Sequence, residues 1–259
     1  VASERLVTIV GAGGVGKTRL ATDLARRHDE AHWVALAALD TPDGLPRTLA
    51  AALGLETARG DVIDACSYLL GAGEQMLVLD NCEHVLAAAR EVVSRLIQTC
   101  PSLTVLATSR ERLGLADECT FRLGPLALPD PTSAHPETAP AMALFLDRAR
   151  RASLDFEPDA ADRDAAVAVV RRLEGVPLAI ELAAGRLPTL GVIGLRDRLD
   201  RALDLLHGGP RAVDARHQTL RATLAWSYDL LPADRQRLVR HLAVFPDGAD
   251  LPTAERVAV

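Results

Sequence analysis

The sequence predicts an α/β protein, with a parallel three-layer sheet in its first half and helices alone in its second. Three observations carry this. Short apolar runs alternate with segments of helical spacing from Arg5 to Leu123. A glycine-rich stretch, Gly11 to Gly16, separates the first run from the first helix. Beyond Gly124 the apolar runs stop and helical spacing continues. Such alternation builds a parallel sheet, because each parallel pairing needs a long crossover and a helix supplies it.

Arg5 to Val10 reads as a buried strand and Lys17 to His28 as the helix that follows. His32 to Ala37 is a second strand, and Asp61 to Leu70 is helical. Met76-Leu77-Val78-Leu79 is a continuous apolar run, as expected of a parallel strand covered on both faces. Val85, Ala89, Val92, Val93, Leu96 and Ile97 then recur at helical spacing. Leu103 to Ala107 gives another buried strand and Cys119 to Leu123 a last one. From Gly124 to Pro140 there are five prolines, at positions 125, 129, 131, 136 and 140. Proline cannot donate to a ladder and restricts its predecessor, so this stretch is a linker. Ala141 to Ala152, Asp159 to Leu173, Leu178 to Arg186 and Val192 to Leu206 read as helices, with Ala166, Val169, Val170 and Leu173 in one stripe. His207-Gly208-Gly209-Pro210 breaks the pattern, and helices near Arg216 to Leu230 and Ala233 to Val244 follow. The expected divisions are residues 1–126, a linker at 127–140, a helical domain at 141–209 and a further domain at 210–259.

Composition narrows the function classes. With 49% hydrophobic and 25% charged residues in 259, global disorder is excluded. Twenty-nine basic against thirty-five acidic residues leave −6, too acidic for a general nucleic-acid sleeve. No apolar run approaches the roughly 18 residues that span a bilayer, so no membrane partner is expected. The start, Val1-Ala2-Ser3-Glu4-Arg5, does not resemble a signal peptide and lacks an initiator Met, so an excised fragment is expected. Cys66, Cys82, Cys100 and Cys119 form no Cys-x-x-Cys pair, which argues against a disulfide framework or a zinc ribbon. Buried or reduced thiols in a cytoplasmic protein are the expectation.

Of the 29 basic residues, 28 are arginine and one is lysine, Lys17. In a sequence that uses arginine wherever either will serve, a retained lysine marks a position needing a compact ammonium on a flexible stem.

That lysine lies in Gly11-Ala12-Gly13-Gly14-Val15-Gly16-Lys17-Thr18, which fits G-x-x-x-x-G-K-[ST] between a strand and a helix. Glycines let successive backbone N–H groups point inward, and the helix N-terminus adds its dipole toward phosphate. The expected nucleotide contacts run from Gly11 through Thr18 to Arg19, with Lys17 reaching the β- and γ-phosphates and Thr18 ligating Mg²⁺. Asp80, directly after the apolar run Met76 to Leu79, is the second expected Mg²⁺ ligand; the alternative is an N-cap for a helix beginning near Glu83. Water activation is less defined. Asn81 is an amide that can orient water without acting as a base, and Glu83 is the nearest carboxylate, alternatively a dipole partner in a first helical turn. His84 reads as structural. Arg110, after Thr108-Ser109 at a strand end, could read the γ-phosphate; otherwise it is a solvated arginine before a helix carrying Glu111. Slow ATP hydrolysis is expected.

These motifs, with Leu79-Asp80-Asn81-Cys82-Glu83-His84, Ala107-Thr108-Ser109-Arg110 and Gly175-Val176-Pro177-Leu178-Ala179, fall in the order of the NB-ARC branch of the STAND signal-transduction ATPases, which the chain resembles. Arg216-His217-Gln218-Thr219-Leu220-Arg221 and Trp226-Ser227-Tyr228-Asp229-Leu230-Leu231 make it similar to the ATPase module of large actinobacterial regulators, the antibiotic-regulatory SARP type and related LuxR-type proteins. The resemblance implies a P-loop NTPase sheet, a helical domain and a truncated winged-helix domain. It implies that Pro177 packs on adenine, where the residues alone suggest a first helical position. It also implies an ATP/ADP switch that self-associates in the ATP state and acts on DNA through a separate domain outside this chain.

Two other classes compete. A small-molecule P-loop kinase would need an acceptor base or lid, and the helices after Gly124 show no such constellation. Direct DNA binding by the last domain is disfavoured: Arg211 to His241 carries six arginines against three acids, without clustering or interleaved aromatics.

Overall fold

Five parallel strands, β1 (Leu6–Val10), β2 (Ala31–Ala35), β3 (Gln75–Asp80), β4 (Leu103–Ser109) and β5 (Cys119–Arg122), form one sheet in the order β2-β3-β4-β1-β5. The computed structural model describes residues 4–39, 41–55, 61–130, 133, 135–153, 156–199, 228, 231–245 and 250–257. The chain divides into two units, Val1–Leu126 and Ala127–Val259. The first has the P-loop NTPase α/β fold.

Alternation along each strand feeds two layers. Leu77, Leu79, Val105 and Ala107 pack with α2 (Leu45–Ala52), α3 (Val62–Leu70) and α4 (Leu86–Thr99). Val7, Ile9, Met76, Val78 and Leu106 pack on the other face with α1 (Lys17–Ala25). Burying each such aliphatic side chain contributes about 1.5–3 kcal/mol, so the register of the three central strands is strongly specified. Val10 lies opposite Ser109 and Leu79 opposite Ala107, which brings the ends of β1, β4 and β3 level. β5 is the edge strand and is exposed throughout, including Phe121 and Cys119; the other three cysteines are buried, and all four are free thiols.

Several elements differ from the sequence expectation. α1 stops at Ala25 rather than His28. α2 was not expected at all: Leu45, Leu49 and Ala50 are buried on one side of only eight residues, too short a run for its period to stand out. α4 begins at Leu86, not near Glu83, because Asn81 takes a left-handed conformation (φ 73, ψ 57) and Cys82–His84 form a separate 3-10 turn. Asp80 therefore caps no helix, and Glu83 lies in the first turn of the short 3-10 helix rather than in α4. No helix follows Arg110. Residues 110–118 form a loop tied to Glu118, whose carboxylate accepts the N–H groups of Leu113 (2.6 Å), Gly114 (2.7 Å) and Leu115 (3.3 Å).

In the second unit α5 (Pro140–Ala152) packs on α7 (Pro177–Ala184), and α6 (Ala160–Arg172) on α8 (Leu187–Arg198). Phe145, Ala149, Ala166, Val170, Ile180 and Leu195 are fully buried there, so the expected stripe on α6 is its core face. The last of these helices starts at Leu187, ahead of the expected Val192, and bends at Gly191 (φ 64, ψ 172); positions 200–206 of the expected helix lie outside the described residues. α9 (Ala233–Leu242) and α10 (Leu251–Val257) follow. The helix expected near Arg216 to Leu230 lies outside the described residues apart from Tyr228. Among the described residues, no single helix is long and apolar enough to cross a membrane.

Candidate functional site

The glycine loop leaves β1 and turns directly into α1. Gly14 (φ 81) and Gly16 (φ 101) are left-handed, a conformation that costs an L side chain about 1–2 kcal/mol, and Gly16 occupies the N-cap position of α1. Gly11 is required for a different reason. A Cβ there would stand 2.5 Å from the Leu123 carbonyl oxygen, because Leu123 donates its N–H to Val10 O at 2.8 Å and holds the chain against the loop.

Lys17 is 9% exposed and folds over this loop, its Nζ donating to the carbonyls of Gly11 (2.9 Å) and Ala12 (3.0 Å). Burial holds its pKa below the usual 10.5. The Glu83 carboxylate and, less strongly, that of Asp80 pull it back up, while the Arg110 guanidinium adds to the lowering. An ammonium so placed, with carbonyls as its hydrogen-bond partners, gains when an anion enters the loop.

Thr18 and Asp80 meet across the interface of α1 with the sheet. The Thr18 hydroxyl donates to Asp80 Oδ1 at 2.8 Å, and the Thr108 hydroxyl donates to the same oxygen at 2.6 Å. Asp80 is buried at the end of β3. A hydroxyl beside a carboxylate is the hard-oxygen pair that Mg²⁺ accepts, with the remaining positions left to water and phosphate. Thr18 and Asp80 together supply only part of an octahedral oxygen shell, so they fit a cation that nucleotide phosphates and water would complete.

Thr108 is the residue of this cluster to which sequence reasoning gave no part. Besides reaching Asp80, its hydroxyl accepts the Asn81 N–H at 2.9 Å. The available signal was a hydroxyl inside a buried strand, where an unbonded polar group is costly. Asn81 places its amide nitrogen 3.3 Å from His84 Nδ1, which sets the side-chain direction of the residue after Asp80.

Arg110 is not the solvated side chain of the alternative reading. Its Nε donates to Glu83 Oε1 at 3.1 Å; the Arg110 side chain is 19% exposed and that of Glu83 5%. Glu83 Oε2 is buried with no hydrogen-bond partner among the described residues. Lys17, Thr18, Asp80, Asn81, Glu83 and Arg110 are thus brought together at the C-terminal ends of the inner strands β1, β3 and β4. Val15 is buried within the loop, while Arg19 is exposed on α1. Pro177 belongs to the second unit. It is the first residue of α7, half-buried, after left-handed Glu174 (φ 52) and Gly175 (φ 69).

A left-handed glycine loop between a strand and a helix, a lysine folded into it, and a hydroxyl–carboxylate pair drawn from α1 and β3 define the phosphate-binding end of a P-loop NTPase. Residues 1–115 match the family model described as an AAA domain. A Mycobacterium tuberculosis protein whose name describes an HTH-type transcriptional regulator is 40% identical over 262 residues, covering 100% of this chain and 29% of its own length. A second protein of that organism, uncharacterized by name, is 39% identical over 266 residues, covering 99% of this chain and 65% of its own. The chain therefore spans less than a third of the first relative and about two-thirds of the second. A solved STAND protein with a tetratricopeptide repeat sensor from Pyrococcus horikoshii aligns with 98% of this chain and 34% of that one, at 14% identity and a TM-score of 0.46.

Proposed function

We propose that this chain is the nucleotide-dependent switch module of a larger transcriptional regulator, binding ATP and ADP with Mg²⁺ and hydrolysing ATP slowly. The observation that carries it is the convergence of Lys17, Thr18 and Asp80, with Thr18 Oγ1 2.8 Å from Asp80 Oδ1 beside the glycine loop. In this reading the backbone from Gly11 to Gly16 cradles the phosphates and Lys17 neutralises them. Thr18 and Asp80 would hold Mg²⁺, which would supply positive charge against the phosphates. Asn81 orients the attacking water and Arg110 feels the γ-phosphate. Glu83 lies within the same cluster, its carboxylate engaged by Arg110. Pro177, by the resemblance, packs on adenine from the helical domain.

The regulatory part rests on the relatives named for transcriptional regulation and on the order of the motifs. A SARP or LuxR-type parent would place this module in the cytoplasm, with DNA bound by a domain elsewhere in the protein and self-association in the ATP state. A ligand shifts the arrangement of two domains only by its differential affinity for the two arrangements, typically about 1–3 kcal/mol. Small-angle scattering and mass in solution, with ADP and with a slowly hydrolysed ATP analogue, test this. Different profiles are expected. Identical profiles with both nucleotides bound would refute a self-contained switch.

A further inference from the structure

We infer that Glu83 sets the preference of this site for ADP over ATP, by occupying Arg110 where a third phosphate would otherwise claim it. This rests on the reading of the site as a nucleotide switch.

Four charges lie together: the cations of Lys17 and Arg110, and the anions of Asp80 and Glu83. Asp80 is engaged by the hydroxyls of Thr18 and Thr108. Glu83 is engaged by Arg110 through Oε1, while its Oε2 is buried and without a hydrogen-bond partner among the described residues. The Glu83 side chain is 5% exposed and the Arg110 guanidinium faces it, so the two charges are held together away from water. Glu83 also acts more strongly on Lys17 than Asp80 does.

The two nucleotides meet this arrangement differently. The phosphates shared by ADP and ATP are met by the loop and by Lys17, and leave the Arg110–Glu83 pair in place. A third phosphate that takes the Arg110 guanidinium must break the 3.1 Å contact and leave the Glu83 carboxylate buried beside a new anion. Truncating or displacing one partner of a buried pair is costly because the other charge is stranded. Specificity is a difference of affinities, and a repulsive group can supply it. Glu83 is therefore a positioning and discriminating residue: it holds Arg110 for ADP and opposes ATP.

The test is the ratio of Mg²⁺-ADP to Mg²⁺-ATP-analogue affinities by calorimetry in wild type, Glu83→Gln, Arg110→Ala and the double variant. Glu83→Gln keeps the shape and removes the charge. The ratio is expected to move toward the ATP analogue by about tenfold, within the usual range of coupling between sites. In the Arg110→Ala background the same substitution should move it by less than about twofold. An unchanged ratio in Glu83→Gln, or an equal shift without Arg110, overturns the inference. If Glu83→Gln does not fold by circular dichroism, Glu83→Asp serves, since withdrawing the carboxylate by one methylene should shift the ratio the same way. Loss of ATP hydrolysis in Glu83→Gln at an unchanged ratio would make Glu83 a base and overturn it too. Wild type that binds neither nucleotide refutes the switch reading beneath it. Wild type that binds both, with an unmoved ratio, refutes this inference alone.

Discussion

Thr108 donates its hydroxyl to Asp80 Oδ1 at 2.6 Å while accepting the Asn81 N–H at 2.9 Å, so a side chain of β4 fixes both the last residue of β3 and the turn after it. Asn81 is left-handed without being glycine, and that N–H bond is part of what holds it there. Thr108→Val preserves shape and removes the hydroxyl. It should destabilise the fold by about 1–3 kcal/mol, the cost of a buried donor left unmade. Urea denaturation would measure this, and a shift below about 0.5 kcal/mol would show that water replaces the hydroxyl.

Asp80→Ala should abolish Mg²⁺-dependent hydrolysis while weakening nucleotide binding far less. The loop and Lys17 do not depend on Asp80 for position, since Lys17 bonds to Gly11 and Ala12. Phosphate release and calorimetry on the same preparation separate the two effects. Hydrolysis at the wild-type rate would remove Asp80 from the metal site.

Lys17→Ala should abolish nucleotide binding with the fold intact, and Lys17→Arg should do the same because a planar guanidinium does not fit a side chain 9% exposed over the loop. Undiminished ATP affinity in calorimetry would refute the role. The lowered pKa gives a second expectation. Between the folded value and the ordinary 10.5, the unfolded chain carries more protons than the folded one, so stability rises with pH in that window. Below the folded value the cost of burying the ammonium is present in full. Phosphate binding needs the charged form, so nucleotide affinity should fall through the same window. As the single lysine of the chain, Lys17 gives this signal without lysine background, and Lys17→Met should remove the stability rise.

Gly11→Ala should be severe although Gly11 is not left-handed. Its Cβ would meet backbone, the Leu123 carbonyl oxygen at 2.5 Å, and backbone cannot rotate away as a side chain does. Parting β5 from the loop should lower the melting temperature by several degrees, of order 2–4 °C per kcal/mol in a chain this long. A melting temperature within about 1 °C of wild type would show that the edge strand gives way freely.

Arg110→Ala should bind ADP almost normally and lose the ATP-driven change in shape or assembly. Removing the guanidinium also strands Glu83, so a loss of apo stability should accompany it. Scattering profiles of the variant with ADP and with a slowly hydrolysed ATP analogue should coincide. If they differ as in wild type, Arg110 is not the sensor.

The parts of this protein governed by neighbours in sequence were readable there. Gly11 to Thr18, the apolar run before Asp80 and the stripe Ala166, Val169, Val170 and Leu173 each carry their own periodicity or backbone requirement, and all stand where local rules place them. α2 escaped because eight residues hold too little period. α4 began late because Asn81 takes the left-handed conformation, which asparagine visits more readily than other non-glycine residues yet still adopts only in a minority of cases. The pairing of Arg110 with Glu83, 27 residues apart, and the bond of Thr108 to Asp80, 28 apart, came from elsewhere. They exist because β3 and β4 are hydrogen-bonded neighbours, with Leu79 level with Ala107, so residues at and just past each strand end face one another. Strand order and register are set by burying two apolar faces at once, a sum over the whole sheet. That sum, and no single segment, decides which charge meets which.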